Sequence, residues 1–321
     1  MNRIKIITKI FVLFTSISAC STQNKEQLGG GLFNSVDDNI VIIKAGSQYS
    51  TISPYSRQKW LDIQKSEKNE LKKIQGLLAL GKSLEAERKV RKYLAANPNQ
   101  PEAILTLASS LAQSRQYDLA AYYASIIENH PKLSSHALNI IGLSRVANAR
   151  SVREYKLAEQ TFVKAINSNK KEIAAGLNLG QLYLEIGNSN AAVSTFRTTS
   201  IRCAKCQPAL LGYGISSLRL SKFKNAEDAL KDIIDRDTDD IPALYYLALV
   251  YQFGLKNNKK AETTLAKIAD SDRPGYTDLR QRAQALMRKI KGEKQSTDDK
   301  FANKEIGGDA RTEEVLTGES K

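Results

Sequence analysis

The chain has 321 residues, of which 41% are hydrophobic, 7% aromatic and 26% charged. This ordinary globular composition excludes a wholly disordered chain, a collagen and a protein with several membrane spans. The formal net charge of +14 suits an anionic partner, but it does not distinguish nucleic acid from a membrane surface or an acidic protein.

The first nineteen residues have the organisation of a secretory signal peptide. Arg3, Lys5 and Lys9 precede a short apolar run at residues 10–14, which small residues follow up to Ala19. Such a run is shorter than the ~20 apolar residues of a spanning helix. The sequence therefore predicts a signal peptide at residues 1–19 and an exported chain, and for an exported chain we predict no nucleic-acid partner.

Residues 17–20, with the sequence Ile-Ser-Ala-Cys, resemble the lipobox of bacterial lipoproteins. The resemblance implies that Cys20 is lipidated and becomes the mature N-terminus, so that the chain is anchored to a membrane. Ser21 stands where an Asp would retain such proteins at the inner membrane, which implies the periplasmic side of the outer membrane. The alternative is an ordinary signal peptide with an incidental cysteine.

Residues 20–53 are predicted to form a flexible lipidated tether, because they are polar and contain three consecutive glycines. Asn39–Lys44 is an exception, since its four central residues are Ile or Val. This segment is predicted either to form a short strand that pairs with a partner or to be a collapsed patch of the linker.

Short motifs then recur with a period close to 34 residues. The marker in the second half of each unit is an alanine, and successive markers are 34, 38, 34, 34 and 35 residues apart. These alanines are Ala86, Ala120, Ala158, Ala192, Ala226 and Ala261. The units start near residues 67, 101, 135, 173, 207 and 241. Four extra residues near Ala149–Tyr155 and one near Asn257–Lys259 are expected at turns between helices.

Each unit has the apolar periodicity of two helices separated by a polar break. A small residue recurs in the first helix of five units, where we expect it to face the marker alanine of the second helix. These small residues are Ala108, Gly142, Gly180, Gly214 and Ala248.

This pattern resembles the tetratricopeptide repeat family. The unit that begins near Ile173 supplies the characteristic residues Leu179, Gly180, Tyr183, Ala192 and Phe196. The resemblance implies an all-α fold, a right-handed superhelical solenoid of about six helix pairs. A lead helix from about residue 54 and a capping helix at 276–291 complete a solenoid at 54–291, and residues 292–321 are predicted to be a disordered acidic tail.

The resemblance also implies which side chains line the concave face and bind protein. The lining would be largely apolar, which suits an amphipathic helix or an extended peptide, although these side chains could instead pack between units. The positions are Leu105, Ser109, His136, Asn139, Leu143, Leu177, Gln181, Leu184, Leu211, Ile215, Leu218, Tyr245 and Leu249.

Chemistry-bearing residues are few. Cys203 and Cys206 at a repeat boundary favour a local disulfide in an oxidising compartment, with free thiols or a redox or metal role as alternatives. His130 and His136 are predicted to be surface or capping residues. We predict no catalytic residue, no metal site and no cofactor.

The sequence thus predicts a non-enzymatic scaffold, tethered to the outer membrane through Cys20, whose partners are envelope proteins. It resembles the pilotin-type lipoproteins that assist the assembly of type IV and tight-adherence pili and their secretins. The alternatives are an accessory of outer-membrane protein insertion or of cell-wall hydrolases and, less favoured, a thiol oxidoreductase that uses Cys203 and Cys206.

Overall fold

The computed structural model describes residues 61–63, 65–170, 173–271 and 276–292. Within these ranges every regular element is helical, which confirms the predicted all-α class. The signal peptide, Cys20, the tether, most of the predicted lead helix and the acidic tail lie outside the described residues.

Residues 61–63 and 65–66 are helical, and six successive helix pairs and a closing helix follow them. The first helices are α1 (Glu70–Ala79), α3 (Pro101–Gln113), α5 (Ser134–Asn148), α7 (Ala174–Glu185), α9 (Gln207–Arg219) and α11 (Ile241–Leu249). The second helices are α2 (Ser83–Ala96), α4 (Tyr117–Ile126), α6 (Val152–Ser168), α8 (Ser189–Arg202), α10 (Phe223–Ile234) and α12 (Asn258–Ala269). Helix α13 (Thr277–Lys291) closes the array.

The described residues divide into two compact units. One unit contains the chain up to Leu182 together with Ser194–Ala209, and the other contains Tyr183–Val193 together with the chain from Leu210 onward. In each unit the core is made by the facing sides of paired helices, where the marker alanines Ala120 and Ala226 are fully buried.

Local sequence explains where several helices begin. The carboxylate of Asp240 accepts the backbone N–H of Ala243 at 2.7 Å, and the amide oxygen of Asn257 accepts that of Lys260 at 3.0 Å. These side chains cap N–H groups that have no partner inside the helix. Pro101 is the first residue of α3, where its missing N–H costs nothing.

The small residues of the first helices make room for large side chains of the second helices. A Cβ atom on Gly142 would lie 2.5 Å from the ring of Phe162, and one on Gly180 would lie 2.8 Å from the ring of Phe196. In each case the nearest side chain is the aromatic residue four positions after the marker alanine, Phe162 after Ala158 and Phe196 after Ala192. The expected contact with the alanines themselves stays a prediction. The line of contact between the two helices of a pair, here called the seam, is therefore filled by an aromatic ring in the third and fourth repeats.

The extra residues of the third and sixth repeats are absorbed by helices rather than by turns. The connection between α5 and α6 is only residues 149–151, and α6 is the longest helix, with 17 residues. In the sixth repeat, Val250–Gly254 forms a π-helical turn in which Leu255 N donates to Val250 O at 2.9 Å. A π turn takes up an extra residue, so the expectation of longer turns is wrong at both places.

Candidate protein-binding face

The thirteen positions predicted to line a groove all lie on first helices. Ten of them are buried and the other three, His136, Gln181 and Leu218, are partly exposed. In helix α3 every residue from Ala103 to Gln113 is buried. A helix that is buried on all sides packs against neighbours around its circumference, so the buried leucines of these positions also stabilise the array. Their role in binding stays a prediction.

Polar side chains join consecutive first helices within the first unit. Asn178 on α7 donates to Asn139 on α5 at 2.8 Å, and Gln75 on α1 donates to Thr106 on α3 at 3.3 Å. Because these amides are largely enclosed, each pair satisfies groups that would be costly to bury alone. The predicted binding position Asn139 therefore already serves to align α5 with α7.

Two hydroxyl groups on first helices lack such partners. The Oγ atoms of Ser109 on α3 and Ser217 on α9 are buried, and neither has a hydrogen-bond partner among the described residues. An unsatisfied buried hydroxyl costs about 1–3 kcal/mol. Ser109 was one of the predicted binding positions, whereas Ser217 was not.

The structure joins Cys203 and Cys206 by a disulfide between Cα atoms 5.4 Å apart. The bond closes the turn between α8 and α9, and both cysteines are partly exposed. Ala204 and Lys205 inside the turn have positive φ angles of 49° and 64°. A helix–turn–helix surrounds this pair, not the strand–helix context of thioredoxin-like redox motifs.

Helix α10 carries several paired charges. Glu227 on α10 is largely buried and accepts a hydrogen bond from Lys231 at 2.5 Å. This bond lowers the pKa of Glu227. On the outside of the same helix, Lys224 contacts Asp228 at 2.9 Å. The charges of α10 are thus neutralised locally.

The outer surface of α4 is different, and sequence reasoning missed it. Leu119, Tyr122 and Ile126 are all exposed, and Asp118 is the single charged residue of the helix. The available signal was composition, since a second helix that faces solvent normally carries several charges.

The described residues contain neither a metal-binding cluster nor a membrane-spanning helix. No group of three or more His, Cys, Asp or Glu side chains there could hold a metal ion. None of the helices in that part of the chain is long and apolar enough to cross a bilayer.

Comparison with known families identifies the type of repeat in two segments of the chain. The tetratricopeptide repeat family matches residues 71–134 and 242–272. The chain contains tetratricopeptide repeats. Repeats of this kind build scaffolds with extended binding surfaces. No curated protein sequence matches the chain.

Solved structures show the same fold. The chain is similar to the Cut9–Hcn1 hetero-tetramer of the APC/C with a TM-score of 0.52 and 18% identity over 70% of this chain, and it spans 45% of that chain's length. A tetratricopeptide repeat protein from Parabacteroides merdae gives 0.50 with 17% identity over 74% of this chain and 88% of that one. The thermophilic protein TTC0263 of Thermus thermophilus gives 0.50 with 16% identity over 59% of this chain and 100% of that one. At these identities the likeness establishes the fold alone.

Proposed function

We propose that this chain is a lipid-anchored scaffold of the cell envelope that binds a protein partner on the first helices of its repeats. Its role is to assist the assembly of an envelope machine such as a type IV or tight-adherence pilus or a secretin. The anchor is Cys20, on the periplasmic side of the outer membrane. One observation carries the proposal: a lipobox-like sequence and an array of tetratricopeptide repeats occur in the same chain.

The first helices support the choice of a peptide-like partner. Partly exposed side chains, Gln181 and Leu218, stand beside buried aliphatic ones. A bound peptide offers apolar side chains and backbone polar groups together. One of the similar structures is a hetero-tetramer, which fits a fold that holds other proteins.

The first test is mild crosslinking in cells, followed by affinity capture of the full chain and mass spectrometry. Gln181→Arg places a charge on α7, and Thr198→Arg places the same charge on the exposed side of α8 as a control. We expect Gln181→Arg to reduce capture of the dominant partner by roughly tenfold, as a loss of about 1.4 kcal/mol would, and Thr198→Arg to leave it unchanged. Equal capture by both variants would place the partner elsewhere on the chain.

The identity of the captured protein distinguishes the machines. A secretin or pilus component supports the leading proposal, and loss of secretin multimers in a deletion strain would support it independently. Insertion-machinery proteins or cell-wall hydrolases, with altered porin levels or muropeptides, would favour the alternative accessory role. The thiol oxidoreductase role requires a labile Cys203–Cys206 couple, so a disulfide that stays oxidised below about −300 mV would exclude it.

A further inference from the structure

Helices α2 and α4 present one joined outer surface. The guanidinium carbon of Arg91 on α2 lies 6.0 Å from the ring centre of Tyr123 on α4. Gln116, which precedes α4, donates to Glu87 of α2 at 3.3 Å. These contacts hold the two helices side by side. Side chains that point outward from α2 and from α4 can therefore contact the same external surface.

The α4 part of this surface is an apolar stripe. Leu119, Tyr122 and Ile126 are 45%, 62% and 54% exposed, and their spacing places them on one side of the helix. Leu84 on α2 adds a fourth apolar side chain that is 66% exposed. Single exposed leucines are ordinary, but a row of large apolar side chains marks a surface that contacts something apolar.

The α2 part of the surface supplies positive charge. Arg88 and Lys92 are exposed, lie one turn apart, and have no acidic partner among the described residues. The neighbouring cation Lys89 differs, since it contacts Glu85 at 3.3 Å. Two cations without an acidic partner among the described residues therefore lie on the helix that contacts α4.

We propose that this surface, formed by Leu84, Arg88, Lys92, Leu119, Tyr122 and Ile126, lies on an anionic phospholipid bilayer. A bilayer with anionic headgroups can contact both the apolar stripe and the two cations. The apolar side chains enter the boundary between headgroups and acyl chains, and the two cations bind phosphate. Tyr122 suits this boundary because its ring is apolar and its hydroxyl polar. A purely apolar protein groove would match the stripe and leave Arg88 and Lys92 without anions.

This contact is separate from the proposed partner site, because it uses second helices rather than first helices. It also does not depend on acylation of Cys20. A surface that is both basic and apolar is a membrane-binding signal of its own. The surface would hold the first two repeats against the membrane, whereas a tether alone would leave their orientation free.

The test is cosedimentation of the exported full chain, carrying Cys20→Ser so that no lipid is attached, with vesicles of two compositions. One set is phosphatidylcholine and the other contains about 30% phosphatidylglycerol, which gives a negative surface potential. We expect the chain to bind the anionic vesicles at least tenfold more tightly, as about 1.4 kcal/mol or more would give. We expect Arg88→Gln with Lys92→Gln to reduce that binding roughly 30-fold, since each basic side chain near such a surface contributes about 1 kcal/mol.

Matched controls separate this surface from general attraction by a basic protein. Tyr122→Ser with Ile126→Ser should reduce binding at least tenfold. By contrast, Ile201→Ser with Leu255→Ser removes two other exposed apolar side chains, 72% and 42% exposed, and should change binding less than about threefold. Lys259→Gln with Lys267→Gln removes the same charge as the Arg88 and Lys92 pair and should likewise have little effect. Thermal unfolding checks that every variant folds.

The proposal fails if the chain binds neither vesicle, or if the α2 and α4 variants behave like their controls. It also fails if Tyr122→Ser with Ile126→Ser keeps vesicle binding and loses a captured protein, because the surface then takes a protein. None of these outcomes changes the Gln181→Arg result, so the partner site is tested independently.

Discussion

The second repeat (α3, α4) and the fifth repeat (α9, α10) share a buried alanine at the marker position but differ in the residues that their second helices expose. Both bury the marker alanine, Ala120 and Ala226. At the next outward position the second repeat has Tyr122, which is 62% exposed, whereas the fifth has Asp228, which contacts Lys224 at 2.9 Å. Packing of the helix pair constrains the residue type only at buried positions. The exposed positions of the second helix can therefore be apolar in one repeat and charged in another.

The seams of the two repeats are filled by side chains of different size. In the second repeat the facing positions are Ala108 and Ala124, and in the fifth they are Gly214 and Leu230. A Cβ on Gly214 would lie 2.9 Å from Cγ of Leu230. The fifth repeat therefore accommodates a leucine because the facing residue is glycine, whereas the second repeat has alanine at both positions.

The largest expected effect on stability comes from replacing the Gly214 and Leu230 pair of the fifth repeat by the two alanines of the second repeat. Leu230→Ala should lower the free energy of unfolding by about 3 kcal/mol, because it opens a cavity at a fully buried site. Gly214→Ala alone should cost about 1 kcal/mol by overpacking. Added to Leu230→Ala, the same change should stabilise by about 1 kcal/mol, since it fills part of the cavity and favours helix.

Urea denaturation of the four proteins in this cycle measures the coupling between positions 214 and 230. Ser194→Ala on the exposed side of α8 is the control and should change stability little. If Gly214→Ala has the same effect with Leu230 and with Ala at position 230, the complementary filling of the seam is wrong.

The sequence predicted the six helix pairs because buried positions recur with a fixed period, and burial of small residues leaves a direct trace in composition. It did not predict that Gly142 faces Phe162, since spacing records the size of a residue but not its neighbour. It misplaced the extra residues because a helix can lengthen, or form a π turn at Val250–Gly254, without disturbing the buried period. The burial of Leu105 and Leu143 agrees with the alternative that these side chains pack between units. The sequence left both alternatives open, because exposure depends on what lies on every side of a helix.

The loops that precede α3 and α9 provide the next contrast. Before α3, the hydroxyl of Tyr93 donates to Gln100 at 2.8 Å, whereas before α9 the Cys203–Cys206 disulfide closes the turn. Replacing both cysteines by Ser should cost about 2 kcal/mol, because a cross-link of this short loop restricts the unfolded chain. Urea midpoints with and without a dithiol reductant measure the effect. The reductant should destabilise the parent protein and not the double variant, and an equal response of both would contradict the prediction.

The turn between the two helices of a pair has a residue of positive φ at its centre, and exchanging glycine and serine there should change stability in opposite directions in two repeats. Ser221 of the fifth repeat has a φ of 56°, and Gly187 of the fourth has a φ of 81°. A side chain is unfavourable in this left-handed conformation by about 1 kcal/mol. We therefore expect Ser221→Gly to raise the thermal midpoint and Gly187→Ser to lower it. A shift of the same sign in both variants would show that the turn does not set the preference.

The smallest expected effect concerns the Glu227–Lys231 pair, which the second repeat lacks because Ala121 and Ser125 stand at the equivalent positions. The hydrogen bond from Lys231 lowers the pKa of Glu227 from its ordinary value of 4.5. A carboxylate with a lowered pKa contributes stability above its unfolded pKa and loses it as the pH falls through the folded value. Lys231 is half exposed, so solvent screening limits this contribution to about 0.5 kcal/mol.

Glu227→Gln should therefore lower the free energy of unfolding slightly at pH 7. It should lose less stability than the parent protein as the pH falls below about 4.5. The measurement is urea denaturation at a series of pH values. Asp228→Asn is the control, because its carboxylate contacts Lys224 at the exposed surface, where an ion pair contributes little. Parallel acid curves for Glu227→Gln and the parent would show that the pair does not stabilise α10.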